Sequence, residues 1–242
     1  MRLDVELVTR GLSESRTEAQ ELIDAGYVLL NGEVCTKQTR LVSEVDTIVV
    51  TARRKYVSRG GEKLEGVCLD IFGNEEVVRD FCKAKIALDA GSSTGGFTDY
   101  LLSMGVGHVD AVDVGTEQFH HSLRERKEVS LFEQTDIRDF TPNTLYDIVV
   151  ADLSFIPLDN VLSKLVECGK DGATYILLLK PQFEVGKGGT KKGIVKDDAL
   201  VEDVLTKYKE LVTIHKGKNI TVYPCRIAGG GGNQEYFLYF TK

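Results

Sequence analysis

Apolar and polar positions follow one pattern over the first fifty residues and another from about residue 64 onward. In the first part, Leu3, Leu7 and Val8 recur at helical spacing and Gly11 is placed to end that helix. Ala19, Leu22 and Ile23 make the apolar face of a second helix, capped by Ser13 or Ser15 and stopped by Gly26. Residues 27–30 and 33–35 flank Asn31-Gly32, a pair suited to the two positive-φ positions of a type I′ hairpin turn. Residues 47–51 add a strand. The segment from Arg53 to Gly61 is basic and lacks apolar periodicity, so it reads as a linker, or equally as a solvated charged loop.

Beyond Leu64 the pattern alternates between short apolar runs and helical stretches, as in a mostly parallel sheet with helices on both faces. The predicted strands are 86–90, 108–113, 129–132, 147–151 and 174–179, with helices at 158–168 and 198–215. The end differs. Residues 219–224 and 236–240 are both strand-like and are joined only by a connector holding Gly229-Gly230-Gly231-Gly232, which predicts a terminal antiparallel hairpin at the sheet edge. The tetraglycine reads as a flexible turn.

The chain has 242 residues, enough for a small module and a larger α/β domain with its own core. A formal net charge of −7 excludes a globally basic nucleic-acid binder and leaves RNA binding to local patches. Five scattered cysteines without a CxxC pair argue for reduced thiols and against a disulfide or zinc framework. The longest apolar run, Ile176-Leu177-Leu178-Leu179, is far short of the roughly 20 residues of a spanning helix. The N-terminal residues lack the apolar centre of a secretory signal, and the expected location is cytoplasmic.

The first chemical signal is the strand 86–90 running into Asp89-Ala90-Gly91-Ser92-Ser93-Thr94-Gly95-Gly96-Phe97-Thr98. Such a strand, glycine-rich turn and helix start form a nucleotide-like cofactor site in a doubly wound α/β domain. The expected cofactor contacts are Asp89, Gly91, Ser93, Gly95, Gly96, Phe97 and Thr98. Asp113 ends the next strand, where a carboxylate can accept from both ribose hydroxyls, although the same position suits a plain strand cap. Asp136 follows the third strand, within reach of an adenine amino group. NAD fits the turn and Asp113 but not the terminal hairpin. S-adenosylmethionine fits both, and its sulfonium tolerates a carboxylate-rich pocket.

Two further strand ends carry polar groups. Asp152 follows the apolar run 148–151, and Lys180 follows 176–179, so both should face the crevice at the carboxyl ends of the strands. Lys63 lies on a helix leading into the domain, and Glu235 begins the last strand. In order and context, Lys63, Asp152, Lys180 and Glu235 resemble the Lys-Asp-Lys-Glu tetrad of FtsJ/RrmJ-like ribose 2′-O-methyltransferases. Residues 15–32 resemble an S4 RNA-binding domain. Together with Ser58-Arg59-Gly60-Gly61-Glu62-Lys63-Leu64 and Leu179-Lys180-Pro181-Gln182-Phe183-Glu184, they identify the chain as resembling the haemolysin-labelled TlyA family along essentially its whole length. One departure is visible. The family's interdomain linker carries Arg-x-Trp-Val, whereas this chain reads Arg54-Lys55-Tyr56-Val57.

The resemblance implies an S4-like module over 1–52, a linker over 53–58, and a Rossmann-like class I methyltransferase domain over 59–242 with a terminal antiparallel hairpin. It implies S-adenosylmethionine as cofactor, with Asp152 beside its methyl, and a cytidine ribose in ribosomal RNA within a ribosomal subunit as methyl acceptor. No metal is called for. The start of the chain, almost at the S4 helix, resembles the shorter family type associated with large-subunit RNA. A ribose hydroxyl needs a positioned base or a cradle for oxyanion charge. Lys180 is the expected base, with Lys63 favouring its neutral form and orienting the hydroxyl, Asp152 holding Lys180, and Glu235 positioning a lysine or the ribose. Phosphate contacts are expected from Arg2, Arg10, Arg16, Arg53, Arg54, Lys55 and Arg59. A glycine-rich basic loop at the rim, mobile when unbound, adds Lys187, Lys191 and Lys192. Two other readings remain: a non-catalytic RNA-binding or ribosome-assembly factor, and a cytolysin, for which no membrane-active segment is visible.

Overall fold

The computed structural model describes residues 1–52, 55–186 and 188–242, arranged as two compact units, Met1–Lys55 and Tyr56–Lys242. Arg53, Arg54 and Lys187, expected among the RNA contacts, lie outside the described residues.

The first unit contains α1 (Leu3–Thr9), α2 (Arg16–Asp24), β1 (Val28–Leu30), β2 (Glu33–Val34) and β3 (Ile48–Val50), with sheet order β2-β1-β3. Ser15 caps α2, its hydroxyl accepting from the Glu18 amide at 3.1 Å. Asn31 and Gly32 both take positive φ, 53° and 88°, as the type I′ turn requires. The predicted faces close over one core of Leu3, Leu7, Ala19, Leu22, Ile23 and Val28.

The second unit contains α3 (Arg59–Phe72), α4 (Glu75–Cys82), β4 (Ile86–Ala90), α5 (Gly96–Ser103), β5 (His108–Val112), α6 (His121–Arg124), β6 (Val129–Phe132) and β7 (Tyr146–Ala151). There follow α7 (Asp159–Cys168), β8 (Gly169–Leu179), α8 (Pro181–Glu184), α9 (Asp198–Ile214), β9 (Lys218–Pro224) and β10 (Tyr236–Thr241). The sheet runs β6-β5-β4-β7-β8-β10-β9, parallel from β6 to β8, with β10 antiparallel between β8 and β9. Alternate residues of each strand face opposite layers. Val149, Tyr175, Leu177 and Leu238 meet Leu162, Leu165 and Tyr208 on one side. Ile148, Val150, Ile176 and Phe237 meet Leu64, Val67 and Tyr100 on the other. Covering both faces is why these strands read as unbroken apolar runs. Each side chain so buried contributes about 1.5–3 kcal/mol.

Tyr56, inside the segment expected as a linker over 53–58, belongs to this core. It is 4% exposed and packs edge-on to Tyr100 at 5.6 Å, and its ring fills the space that a Cβ on Gly61 would need. The neighbouring Val57 amide donates to Asp99 on α5 at 2.9 Å. A lone aromatic among Arg and Lys carries no periodicity, so its burial is invisible to pattern reading.

Candidate active site

The strand order reverses between β5-β4 and β4-β7, which opens a crevice at the carboxyl ends of β4 and β7. Gly91 leaves β4 at φ +80°, and a Cβ there would collide with the Asp152 carbonyl, so only glycine lets the two strand ends approach. The Asp152 amide donates to the Ala90 carbonyl at 3.0 Å across the gap. A cleft of about 610 Å³ opens here, lined by Gly91, Ser93, Asp113, Asp136, Ile137 and Asp152 among others. That volume suits a nucleoside-sized ligand.

Asp113 sits in the cleft wall, its two oxygens accepting from the Ser93 amide at 2.8 Å and the Gly115 amide at 2.7 Å. A carboxylate has about four acceptor sites, so capacity remains for two ligand hydroxyls. Asp89 is fully buried beneath the turn. One oxygen accepts from the Thr98 amide (3.0 Å) and hydroxyl (2.7 Å), and the other has no donor. Burial, reinforced by the Asp152 and Asp113 carboxylates, outweighs the Thr98 bonds and pushes its carboxyl up to about 7. The buried Ser92 hydroxyl also lacks a partner. These orphaned atoms, the glycine cradle at Gly91 and the open capacity of Asp113 fit a ligand bearing a ribose and a cationic end.

Four expected cofactor contacts point elsewhere. A Cβ on Gly95 would strike Leu123 and Phe119, and one on Gly96 would strike Ser58 and Gly61. Phe97 is 3% exposed in the core with Tyr56 and Tyr100, and Thr98 is spent on Asp89. None of the four lines the cleft. Gly91 and Ser93 thus line the ligand space, Asp89 and Ser92 lie buried and outside its lining, and 95–98 bring α5 close to α3. Asp136 lines the cleft, but its carboxylate is held by Arg138 through Nε at 3.0 Å, Nη2 at 2.5 Å and the amide at 2.9 Å. Those bonds keep its pKa below the usual range. An adenine amino group would compete with Arg138 for it.

The four expected tetrad residues come from four separate segments and form two pairs. Lys63, near the start of α3, reaches the carboxylate of Glu235, just before β10, at 2.6 Å; the two residues are 8% and 2% exposed. Lys180, 9% exposed, lies 2.6 Å from Asp152 Oδ1 and donates to the Ser154 hydroxyl at 2.8 Å. Asp152 Oδ1 meets no aligned hydrogen-bond donor, so its contact with Lys180 is an ion pair rather than a directed bond. Gln182, on α8 two residues beyond Lys180, donates to Glu235 at 3.4 Å. Cys225 lies within the field of Lys63, Glu235 and Asp152, and burial pushes its thiol up.

Sequence reading missed Ser154, Gln182 and Gly229. The first two sit two residues beyond Asp152 and Lys180, and that offset was the available signal. Gly229 is more than a flexible connector. It is buried, and a Cβ there would overlap the Glu235 carboxylate. Asn233 then ties this turn to the basic rim loop, donating to the Gly193 carbonyl at 2.9 Å and accepting from the Val195 amide at 3.1 Å. The rim loop is therefore anchored near Lys191 and Lys192, which are both exposed.

Three of the basic residues expected to contact RNA, Arg2, Arg10 and Arg16, are engaged within the first unit. Arg2 and Arg16 converge on the buried Asp4 at 2.9 Å each, and Gln20 joins them at 2.8 Å. Burial alone would raise the Asp4 carboxyl, but these donors outweigh it and hold Asp4 well below the carboxylate range. Arg10 pairs with Glu6 at 2.8 Å and donates to the Asp46 and Ser43 carbonyls. Lys55 and Arg59 are exposed. No helix among the described residues is long and apolar enough to cross a membrane.

A seven-stranded sheet with β10 inserted antiparallel, a glycine turn beneath Asp113 and a Lys-Asp-Lys-Glu constellation define a methyltransferase of the α/β class. The chain belongs to the FtsJ-like methyltransferase family, whose model matches residues 56–242, and residues 1–48 match the S4 domain. It is 43% identical to the 16S/23S rRNA (cytidine-2′-O)-methyltransferase TlyA of Mycobacterium tuberculosis, over 98% of this chain and 88% of that protein. It is 37% identical to Hemolysin A of Brachyspira hyodysenteriae, over 99% of both. A solved structure described as a hemolysin, from Streptococcus thermophilus, superposes with a TM-score of 0.77 at 33% identity, covering 100% of this chain and 88% of that one.

Proposed function

We propose that this chain transfers the methyl group of S-adenosylmethionine to the ribose 2′-hydroxyl of a cytidine in ribosomal RNA, as its Mycobacterium tuberculosis relative is named for doing. The observation that carries this reading is the pairing of Lys63 with Glu235 and of Lys180 with Asp152, the second pair reaching the cleft wall through Asp152. Asp113 would hold the cofactor ribose, and Asp89 and Ser92 would face its polar end. When bound, the cofactor supplies an electrophilic methyl on a sulfonium. Asp152 and Ser154 fix the Lys180 Nζ, which, once it has released one ammonium proton to solvent, takes the proton leaving the ribose hydroxyl. Lys63, held by Glu235, orients that hydroxyl and stabilises the negative charge that develops on it. Holding hydroxyl and methyl in line contributes much of the acceleration.

RNA engagement falls to the S4 domain and the rim loop, with Arg2, Arg10, Arg16, Lys55, Arg59, Lys191 and Lys192 as phosphate contacts and a splayed-out nucleotide as the recognised element. Arg2 and Arg16, each with part of its side chain in solvent, can share Asp4 with a phosphate. The proposed setting is the cytoplasm, where ribosomes are assembled. Incubation with labelled cofactor and ribosomal subunits tests the reading: transfer that Lys180→Ala abolishes supports it. RNA binding with no transfer would make the chain a binding factor instead.

A further inference from the structure

Lys180 is held from a loop whose far end is clamped by a second set of bonds. Residues 152–158 leave β7, contribute Asp152 and Ser154 to Lys180, and enter α7 at Leu158 and Asp159. Four residues beyond Lys180, Glu184 accepts from the Leu158 amide at 2.9 Å with one oxygen and from the Tyr208 hydroxyl at 2.5 Å with the other. The same Tyr208 hydroxyl accepts from the Asp159 amide at 2.9 Å. Between the two clamps the Phe155 and Phe183 rings meet at 5.4 Å. Phe155 takes φ +65°, a conformation costly for a bulky residue, with its side chain 90% exposed.

We infer that Glu184, braced by Tyr208 from α9, is a positioning residue that sets the Asp152–Ser154 loop in register with Lys180. Tyr208 is 0% exposed and its hydroxyl is fully engaged, so the brace is anchored in the core rather than at the surface. The loop also supplies Leu153, Phe155, Ile156 and Pro157 to the cleft wall. Releasing its far end would therefore misplace Lys180 against a hydroxyl while Gly91 and Asp113, which follow β4 and β5, still hold the cofactor side. Because the loop also forms part of the cleft wall, the expected signature is a loss of turnover well beyond any loss of cofactor affinity.

This inference rests on the methyltransferase reading, and the experiment separates the two. Turnover, binding of S-adenosylhomocysteine by calorimetry, and hydrogen exchange of the Leu158 and Asp159 amides would be measured for wild type, Glu184→Ala, Glu184→Gln and Tyr208→Phe. In Glu184→Ala, kcat should fall by about 10²-fold, the effect of an ångström-scale misplacement. Affinity for S-adenosylhomocysteine should fall by much less than kcat, and both amides should exchange faster. Glu184→Gln should recover part of the loss, because its carbonyl still accepts from Leu158. Unchanged kcat in both Glu184→Ala and Tyr208→Phe, or a loss matched by an equal loss of ligand-binding protein, would overturn the inference. A wild type that transfers no methyl would sink the activity instead; the amide exchange then decides the clamp alone, unchanged rates overturning it.

Discussion

Lys63 Nζ and Glu235 Oε2 lie 2.6 Å apart, although 172 positions separate them in sequence, and both are almost wholly buried. Removing one partner of such a pair leaves a buried charge uncompensated, at a cost of about 3–5 kcal/mol, whereas replacing both with apolar groups is often neutral. Glu235→Ala should therefore lower unfolding free energy by that amount. The double variant Lys63→Met/Glu235→Leu should regain stability but not methyl transfer. Urea unfolding read beside turnover separates the two; a double variant that regains both would remove this pair from the chemistry.

Gly229→Ala probes the same carboxylate from its other side. The backbone there, φ −70°, suits alanine, so the unfolded-state gain of about 0.4–1 kcal/mol applies. The added Cβ would overlap Glu235, and overpacking costs about 1–3 kcal/mol. That cost exceeds the gain, and the turn gives way by displacing Glu235 from Lys63. Turnover should drop while the protein stays folded at 25 °C, as checked by circular dichroism alongside activity.

Asp89 makes a pH prediction. Its folded-state carboxyl is raised from 3.8 to about 7 by burial, so between those values the folded protein keeps a proton that the unfolded chain releases. Its contribution to stability is greatest below pH 4 and is lost as pH rises through 7. Asp89→Asn, which can still accept from Thr98, removes this dependence. Unfolding free energies of wild type minus variant, measured without ligand, should decline by a few kcal/mol from pH 4 to pH 7 and then level. A flat difference would contradict the assigned environment.

Asp113→Ala should weaken S-adenosylhomocysteine binding. Hydrogen bonds to a charged group contribute about 1.5–3 kcal/mol, which is roughly 10- to 150-fold in the dissociation constant. Calorimetry reads this directly. Unaltered affinity would leave Asp113 as no more than the anchor of the Ser93 and Gly115 amides.

Most of the architecture was legible because it rests on period and punctuation. Unbroken apolar runs at 148–151 and 176–179 marked strands buried on both faces, and Asn31-Gly32 marked its hairpin. Asp152 and Lys180 were legible because strand ends in an open α/β sheet face one crevice, whereas Lys63 and Glu235 were picked out by the family resemblance. What escaped depends on close approach between distant segments. A sequence does not tell which glycines of 91–96 meet a ligand and which meet a helix; the structure assigns Gly91 to the cleft and Gly95 and Gly96 to packing. Nor does it tell whether a basic side chain is spare, and Arg2, Arg10 and Arg16 are engaged by acidic partners from their own unit. Tyr56 and Gly229 were hidden for the same reason, since each is defined by a neighbour it fills or makes room for.

Lys180, held by Asp152, is proposed to take the proton of a ribose hydroxyl as that oxygen accepts the methyl group of S-adenosylmethionine. The most direct test of this role is mass-spectrometric mapping of ribosomal RNA nucleosides after incubation with labelled S-adenosylmethionine, comparing wild type with Lys180→Ala. The expected result is label on the 2′-oxygen of cytidine with wild type and none with the variant. Label on a base, or equal labelling by Lys180→Ala, would contradict it.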